Sequence, residues 1–338
     1  MTTELLEAPT EGQIELLAKL NRDLRAASKM LGFDEARFLV DTYYQIQRFR
    51  VTSHQRIEAS QDAGGEPNAL LGYTEESFKR LEKNLYVCLG EFARQYTVGE
   101  WLQSLTGIGN VISTGFLCYF DIQKAPTAGH FFSFAGYNPN MVWGKGQRRP
   151  YCSRLKFICI NAGTCIALTS TKTESHYGPW LLKRKLYETD KNERGDYKPE
   201  AERLLKVFDF DKSTEAYKAN IQGKLSLGQI NGRARRWAVK LLLAHTHYVM
   251  FKDFYGREPV LPFALAQGDH AHYITPPNYP FTPIEGGKSI KDLLPAPETV
   301  AEREERKKAI AERKAARKNQ AKEEKAEWKR IKEEAKEA

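Results

Sequence analysis

Three short stretches of the chain combine residue types that hold anions. The first is Thr106-Gly107-Ile108-Gly109-Asn110, set between Trp101 to Leu105 and the apolar run Val111 to Phe120. Two glycines allow a tight turn between helices, a helix-hairpin-helix over 101–120. Such a turn leaves backbone N–H groups at a helix N-terminus, whose partial positive charge suits a phosphate. Gly107, Ile108, Gly109 and Asn110 are therefore candidate phosphate-binding residues. The second stretch, Trp143-Gly144-Lys145-Gly146-Gln147-Arg148-Arg149-Pro150, sets cations and accessible glycines beside an indole. That combination fits a phosphate chain with a base to stack. Arg154 and Lys156 follow it closely. The third is Arg233-Ala234-Arg235-Arg236-Trp237-Ala238-Val239-Lys240. On a helix, Arg233, Arg236 and Lys240 share one face, and Ala234, Trp237, Ala238 and Leu241 the other.

The rest of the chain is poor in chemistry. There is no Walker loop and no GxSxG elbow, and no acidic set on alternating strand positions as a two-metal site would need. His245 with His247, and His270 with His272, form two close pairs, but residues two apart on a helix point in different directions. Asp269-His270 with Asn278 lacks the second half of an HNH motif. We therefore expect no catalytic residue, no metal and no cofactor. The five cysteines include no CxxC pair, which argues against a zinc ribbon or a disulfide framework and for the cytoplasm. Met1 to Thr10 is acidic and lacks the apolar centre of a signal peptide. No apolar run approaches a membrane span. Lys and Arg outnumber Asp and Glu by 52 to 43, an excess that fits a polyanionic partner.

The elements that must position these stretches are helical, so a mainly α fold is expected. After a flexible start (1–10), three amphipathic helices are expected over 11–99: Gly12 to Met30, a second from Asp34 to about Glu58, and a third from Thr74 to about Tyr96. Together they form a coiled-coil-like module. Residues 100–257 form a second helical domain. In it Ser153 to Thr169 is a helix burying Leu155, Phe157, Ile158, Ile160, Cys165 and Ile166. Tyr177 to Tyr187 is a helix, Glu188 to Pro199 a charged loop, and Glu200 to Phe208 a further helix. Leu227 to Gly232 is a turn ahead of the arginine helix. A Pro- and aromatic-rich arm occupies 258–297. The remainder, 298–338, alternates Glu with Lys and Arg and lacks a coiled-coil seam. It is a single exposed helix or a disordered tail.

From Trp101 to roughly Tyr255 the chain resembles the C-terminal domain of the bridge-RNA-guided insertion-sequence transposases. The likeness rests on Leu105-Thr106-Gly107-Ile108-Gly109, Phe131 to Pro139 around Ala135-Gly136-Tyr137, Leu155-Lys156 with the small residues up to Gly163, and Gly232 to Lys240. The same layout is similar to the Nop domain of box C/D ribonucleoproteins. Two departures matter. The acidic RuvC-like domain of the transposases is replaced by the three N-terminal helices. Where the transposases carry a nucleophilic serine, this chain reads Met141-Val142-Trp143-Gly144-Lys145-Gly146, and Ser153 lies too far on to match.

The pattern left is similar to the nuclease-free Tas proteins of the tandem-interspaced-guide-RNA systems. That resemblance implies a guide RNA and a double-stranded DNA target in a prokaryotic or phage-infected cell, with no enzymatic activity. Trp143, Lys145, Gln147, Arg148, Arg149, Arg154, Lys156, Arg233, Arg235, Arg236 and Lys240 are the RNA-binding candidates, and the N-terminal helices would join two copies in a homodimer. The alternatives are a transposase-like recombinase or its DNA-binding accessory, and a non-catalytic scaffold for protein partners.

Overall fold

The computed structural model describes residues 22–144, 146–260, 273–282 and 286–294, and residues 301–320 apart from 303, 306, 314, 317 and 318. The expectations for 1–21, for Lys145, for 261–272, with Asp269, His270 and His272, and for the tail at 298–300 and 321–338 fall outside the described residues. The protein is mainly α, and the described residues contain no strand, only an isolated bridge between Tyr96 and Lys288. No helix among them is long and apolar enough to cross a membrane.

The helices are α1 (Arg22–Ser28), α2 (Phe33–Asp62), α3 (Ala69–Arg94), α4 (Thr97–Gln103), α5 (Asn110–Tyr119), α6 (Ala128–Phe134), α7 (Ser153–Leu168), α8 (Gly178–Glu193), α9 (Lys198–Val207), α10 (Glu215–Asn220) and α11 (Leu227–Tyr255). Caps set several starts earlier than the sequence places them. For α2 the cap is Gly32, whose N–H donates to Glu35 Oε2 at 2.8 Å. Helix α3 starts ahead of Thr74 because Asn68 Oδ1 accepts from Leu70 N at 2.9 Å. Thr74 and Ser77 bond back to carbonyls four residues earlier, so both hydroxyls are satisfied inside the helix. Residues 227–232, expected as a turn, are helix, because Ser226 and Gln229 form a capping box that holds the first turn despite Gly228 and Gly232. Gly256, at φ 69°, ends α11 in the left-handed conformation.

Helix α5 lies at the centre, with every residue buried except Asn110. Helices α2, α3, α4 and α7 pack around it, and α11 packs on α4, α6, α7 and α8. Val40, Leu89 and Phe92 from the first hundred residues share one core with Trp101, Phe116, Leu155 and Leu242. The boundary expected near residue 99 is thus absent: the apolar faces of α2 and α3 close on α5. The chain divides instead between 294 and 295. A smaller core of Tyr197, Ala201, Leu225 and Ile230 supports α8 to α11.

The described parts of the Pro- and aromatic-rich arm clasp this body. Trp101 Nε1–H donates to the Pro277 carbonyl at 2.9 Å. Ile290, Leu293 and Leu294 are buried in the main core, and Asp253 accepts from Ser289 Oγ and from Ile290 N at 2.8 and 2.7 Å. In the second unit, the described residues of 301–320 are helical and exposed.

Candidate nucleic-acid interface

The basic loop after α6 folds back on α2. Arg148 and Arg149 share a groove of about 510 Å³ with Arg37 of α2, walled by Phe134 and Tyr151. Among the described residues none of these three arginines has a carboxylate at ion-pair distance. The Arg37 guanidinium lies over the Tyr119 ring, 4.3 Å from its centroid. Trp143 is partly exposed and meets Tyr151 edge-on at 5.5 Å. The Lys156 ammonium stands over the Tyr151 ring, 4.5 Å from its centroid. Gln147 holds the loop by accepting from Gly144 N at 2.9 Å. Arg154, at the start of α7, lies 3.6 Å from Asp41, which also accepts from Tyr119 Oη. Its charge is partly answered, unlike that of its neighbours.

On α11 the four cations divide by role. Arg233 Nε donates to Glu188 at 2.8 Å and lies over the Tyr197 ring at 4.5 Å. Glu188 is buried and also receives Arg184 at 2.6 Å and the Tyr197 hydroxyl. Burial pushes its carboxyl up, but the bonds from Tyr197, Arg233 and Arg184 outweigh that and hold it low. Arg233, a phosphate candidate on sequence, is committed to this buried anchor. Glu188 itself, expected in a loop, sits in α8.

Arg236 and Lys240, by contrast, have no acidic partner among the described residues. Desolvation first, and Arg233 second, lower the Arg236 pKa. Lys240 is lowered by desolvation, then by Arg236 and Arg184. Positive charges held together without a counter-ion repel, and an anion among them relieves both the repulsion and the downward pull on the lysine. Arg235 lies beside Tyr137, as does Arg236.

The loop around Gly136 joins the two basic regions. Gly136 has φ +72°, and a Cβ there would fall 2.9 Å from the Tyr151 ring and 3.1 Å from the Lys156 stem. Tyr137 follows it toward the α11 arginines. Gly163 lets α7 and α11 cross closely, since a Cβ there would lie 2.8 Å from Val239. The structure thus brings together Trp143, Arg148, Arg149, Lys156, Arg235, Arg236 and Lys240 along one cation-and-aromatic band. Sequence reasoning misses Arg37, Tyr151 and Arg184. Lys183-Arg184-Lys185 is a visible basic triplet; Arg37 has no such signal.

The Gly-Ile-Gly hairpin forms as expected, with Gly107 at φ +89° and α5 starting at Asn110. It lines a separate cleft of about 750 Å³ between α2, α3 and α7. The Asn110 side chain is turned away, donating to the Tyr86 carbonyl at 3.0 Å and accepting from Gln103 at 3.3 Å. No lining residue carries a charge. A phosphate would find only neutral groups here, so the phosphate role expected of the hairpin lacks cationic support.

His245 and His247 are buried. Each Nε2–H donates to a backbone carbonyl, that of Ile274 at 2.9 Å and that of Ala125 at 2.8 Å. His245 Nδ1 then accepts from the Tyr177 hydroxyl at 2.9 Å. Burial lowers the His245 pKa to about 4, so it is a neutral core residue. Leu155, Ile158 and Ile166 are buried as expected, whereas Cys165 is only partly buried and Phe157 and Ile160, also expected in the core, are exposed at 47% and 50%.

In comparisons with known proteins, no family model, no curated protein and no solved structure matches this chain.

Proposed function

We propose that the chain is an RNA-binding protein that holds a guide RNA, uses it to recognise double-stranded DNA, and has no nuclease of its own. The observation that carries the RNA-binding part is the groove of Arg37, Arg148 and Arg149, edged by Tyr151 and Phe134 and free of carboxylates among the described residues. Cations without counter-ions beside exposed rings suit a single-stranded backbone with stacked bases. Lys156, Arg236 and Lys240 extend the same surface. The guide and the DNA target follow from the resemblance to the Tas proteins, in which pairing by the guide supplies sequence specificity and the protein supplies shape and charge.

The same reading includes a homodimer. Helices α2 and α3 run out as a two-helix arm in which no residue from 47 to 81 is buried. Phe49, Val51, Leu70, Tyr73 and Leu81 are exposed on it, apolar surface that a second copy would cover.

The test is sequencing of the RNA that co-purifies after a high-salt wash, beside an Arg148→Glu/Arg149→Glu/Arg236→Glu variant. A discrete small RNA present with the wild type and lost from the variant is expected. The same background RNA in both samples would overturn the reading. With a synthetic single strand, the log–log salt slope should flatten by about 0.7 for each phosphate contact removed. Arg233 is left out of the variant because its loss would unsettle Glu188.

A further inference from the structure

We infer that the cleft between α2, the α4–α5 hairpin and α7 receives one unpaired nucleobase of the strand held on the cation band. This rests on the RNA-binding reading above. The cleft, about 750 Å³, falls in the size range of small-molecule sites. Its lining selects by exclusion. With no lysine, arginine or histidine among the lining residues, nothing offsets the desolvation of a phosphate or carboxylate. A hydrocarbon fares no better, since it would strand the amide oxygens of Gln47 and Gln103 without water. A neutral, planar heterocycle with hydrogen-bonding edges satisfies both limits.

The polar groups are fixed before any ligand arrives. Gln103 Nε2 donates to the Gly90 carbonyl at 3.1 Å and to Asn110. Gln47 Nε2 donates to Glu82 at 2.9 Å. Glu82 is itself held by Arg50 at 2.5 Å and by Tyr43 at 3.1 Å. Each glutamine thus spends its amide nitrogen on the protein, leaving its Oε1 to accept from a base edge. Tyr44 and Tyr86 offer rings, and Leu168, 76% exposed, forms an apolar lip.

The cleft is also within reach of the band. Asn161 lies five residues beyond Lys156 on α7, about 8 Å at the helical rise. That is two or three nucleotides of one strand at roughly 3.4 Å each. Phe157 stands exposed between them, edge-on to Tyr44 at 5.0 Å. It supplies a stacking surface on the way in, which accounts for an aromatic left uncovered on α7.

Two variants of the full chain test this. Thr164→Phe fills the cleft, and Asn161→Asp keeps its volume but replaces the amide that bonds Tyr44 with an anionic acceptor. Binding is read with a labelled single-stranded RNA of mixed sequence, with a series carrying one abasic site at successive positions, and with the four free nucleosides. Thr164→Phe should weaken the intact RNA about tenfold, the order of one lost base contact, with an unchanged salt slope. One abasic position should reproduce that loss in the wild type and add nothing in Thr164→Phe. Asn161→Asp should change the base preferred at that position.

If folded Thr164→Phe binds like wild type, or if no abasic position matters, the pocket reading falls. Should Arg148→Glu/Arg149→Glu still weaken binding in that case, the RNA-binding reading stands without it. If no RNA binds at all, nucleosides decide: binding blocked by Thr164→Phe keeps a base site fed by free nucleosides, and no binding removes it. Should Thr164→Phe not fold, the abasic series on the wild type and Asn161→Asp decide the same question.

Discussion

At the residue scale, the most informative correction is the pairing of Arg233 with Glu188. In the sequence Arg233 stands in a run of cations and Glu188 opens a stretch dense in charge, which reads as solvated loop. Only the crossing of α8 and α11 puts them together, and no local pattern encodes a contact 45 residues apart. Glu188→Gln would leave Arg184 and Arg233 sharing a neutral partner. We expect a loss of about 2 kcal/mol in denaturant unfolding, below the roughly 3–5 for fully buried pairs because both guanidiniums still reach water. His245 gives a second expectation. Its folded pKa of about 4 lies below its ordinary 6.5. The unfolded chain therefore binds the proton first, and stability present above pH 6.5 is lost as pH falls toward 4. The contribution is about 3 kcal/mol. His245→Gln should flatten that part of the stability-against-pH curve, as followed by thermal melting across the range.

At the element scale, the helices and the hairpin are legible in the sequence, and which of their faces are covered is not. The glycines at 107 and 109 announce a tight turn because few other residues allow one. In Gly107→Ala the new Cβ would sit 3.0 Å from Thr169 Oγ1 at a φ of +89°, and we expect about 1–3 kcal/mol of destabilisation by chemical unfolding. On α7 the periodicity is right but the covering is not what it suggests. Phe157 and Ile160 lie on one stripe and Leu155, Ile158 and Ile166 on another; both are apolar, and only the second meets α5 and α11. Composition cannot say which of two apolar stripes finds a partner. The start of α11 is hidden for a different reason: two glycines outweigh a capping box when the sequence is read, whereas in the fold Ser226 and Gln229 prevail.

At the scale of the whole molecule, the break in texture near residue 100 is real in the sequence but is not a boundary in space. The amphipathic period of the first helices is compatible with self-pairing or with packing on the helices after residue 100. The fold uses both: the roots of α2 and α3 close the core, and their outer halves stay uncovered. That division supports a direct test of the proposed dimer. Wild-type protein should sediment as a dimer at micromolar concentration, and Phe49→Asp/Leu81→Asp as a folded monomer. A monomeric wild type in the same run would remove the arm from the interface.

The clasp formed by the C-terminal arm also orders events in time. The Trp101 indole finds its carbonyl partner only at Pro277, 176 residues later, and Ile290, Leu293 and Leu294 complete a core begun at Ala36. A ribosome adding roughly 5–20 residues per second needs about 9–35 s to bridge that gap. Throughout that interval the Trp101 indole lacks its partner and the core lacks Ile290, Leu293 and Leu294. The core is therefore complete only once Leu294 has been made, long after the helices that form most of it.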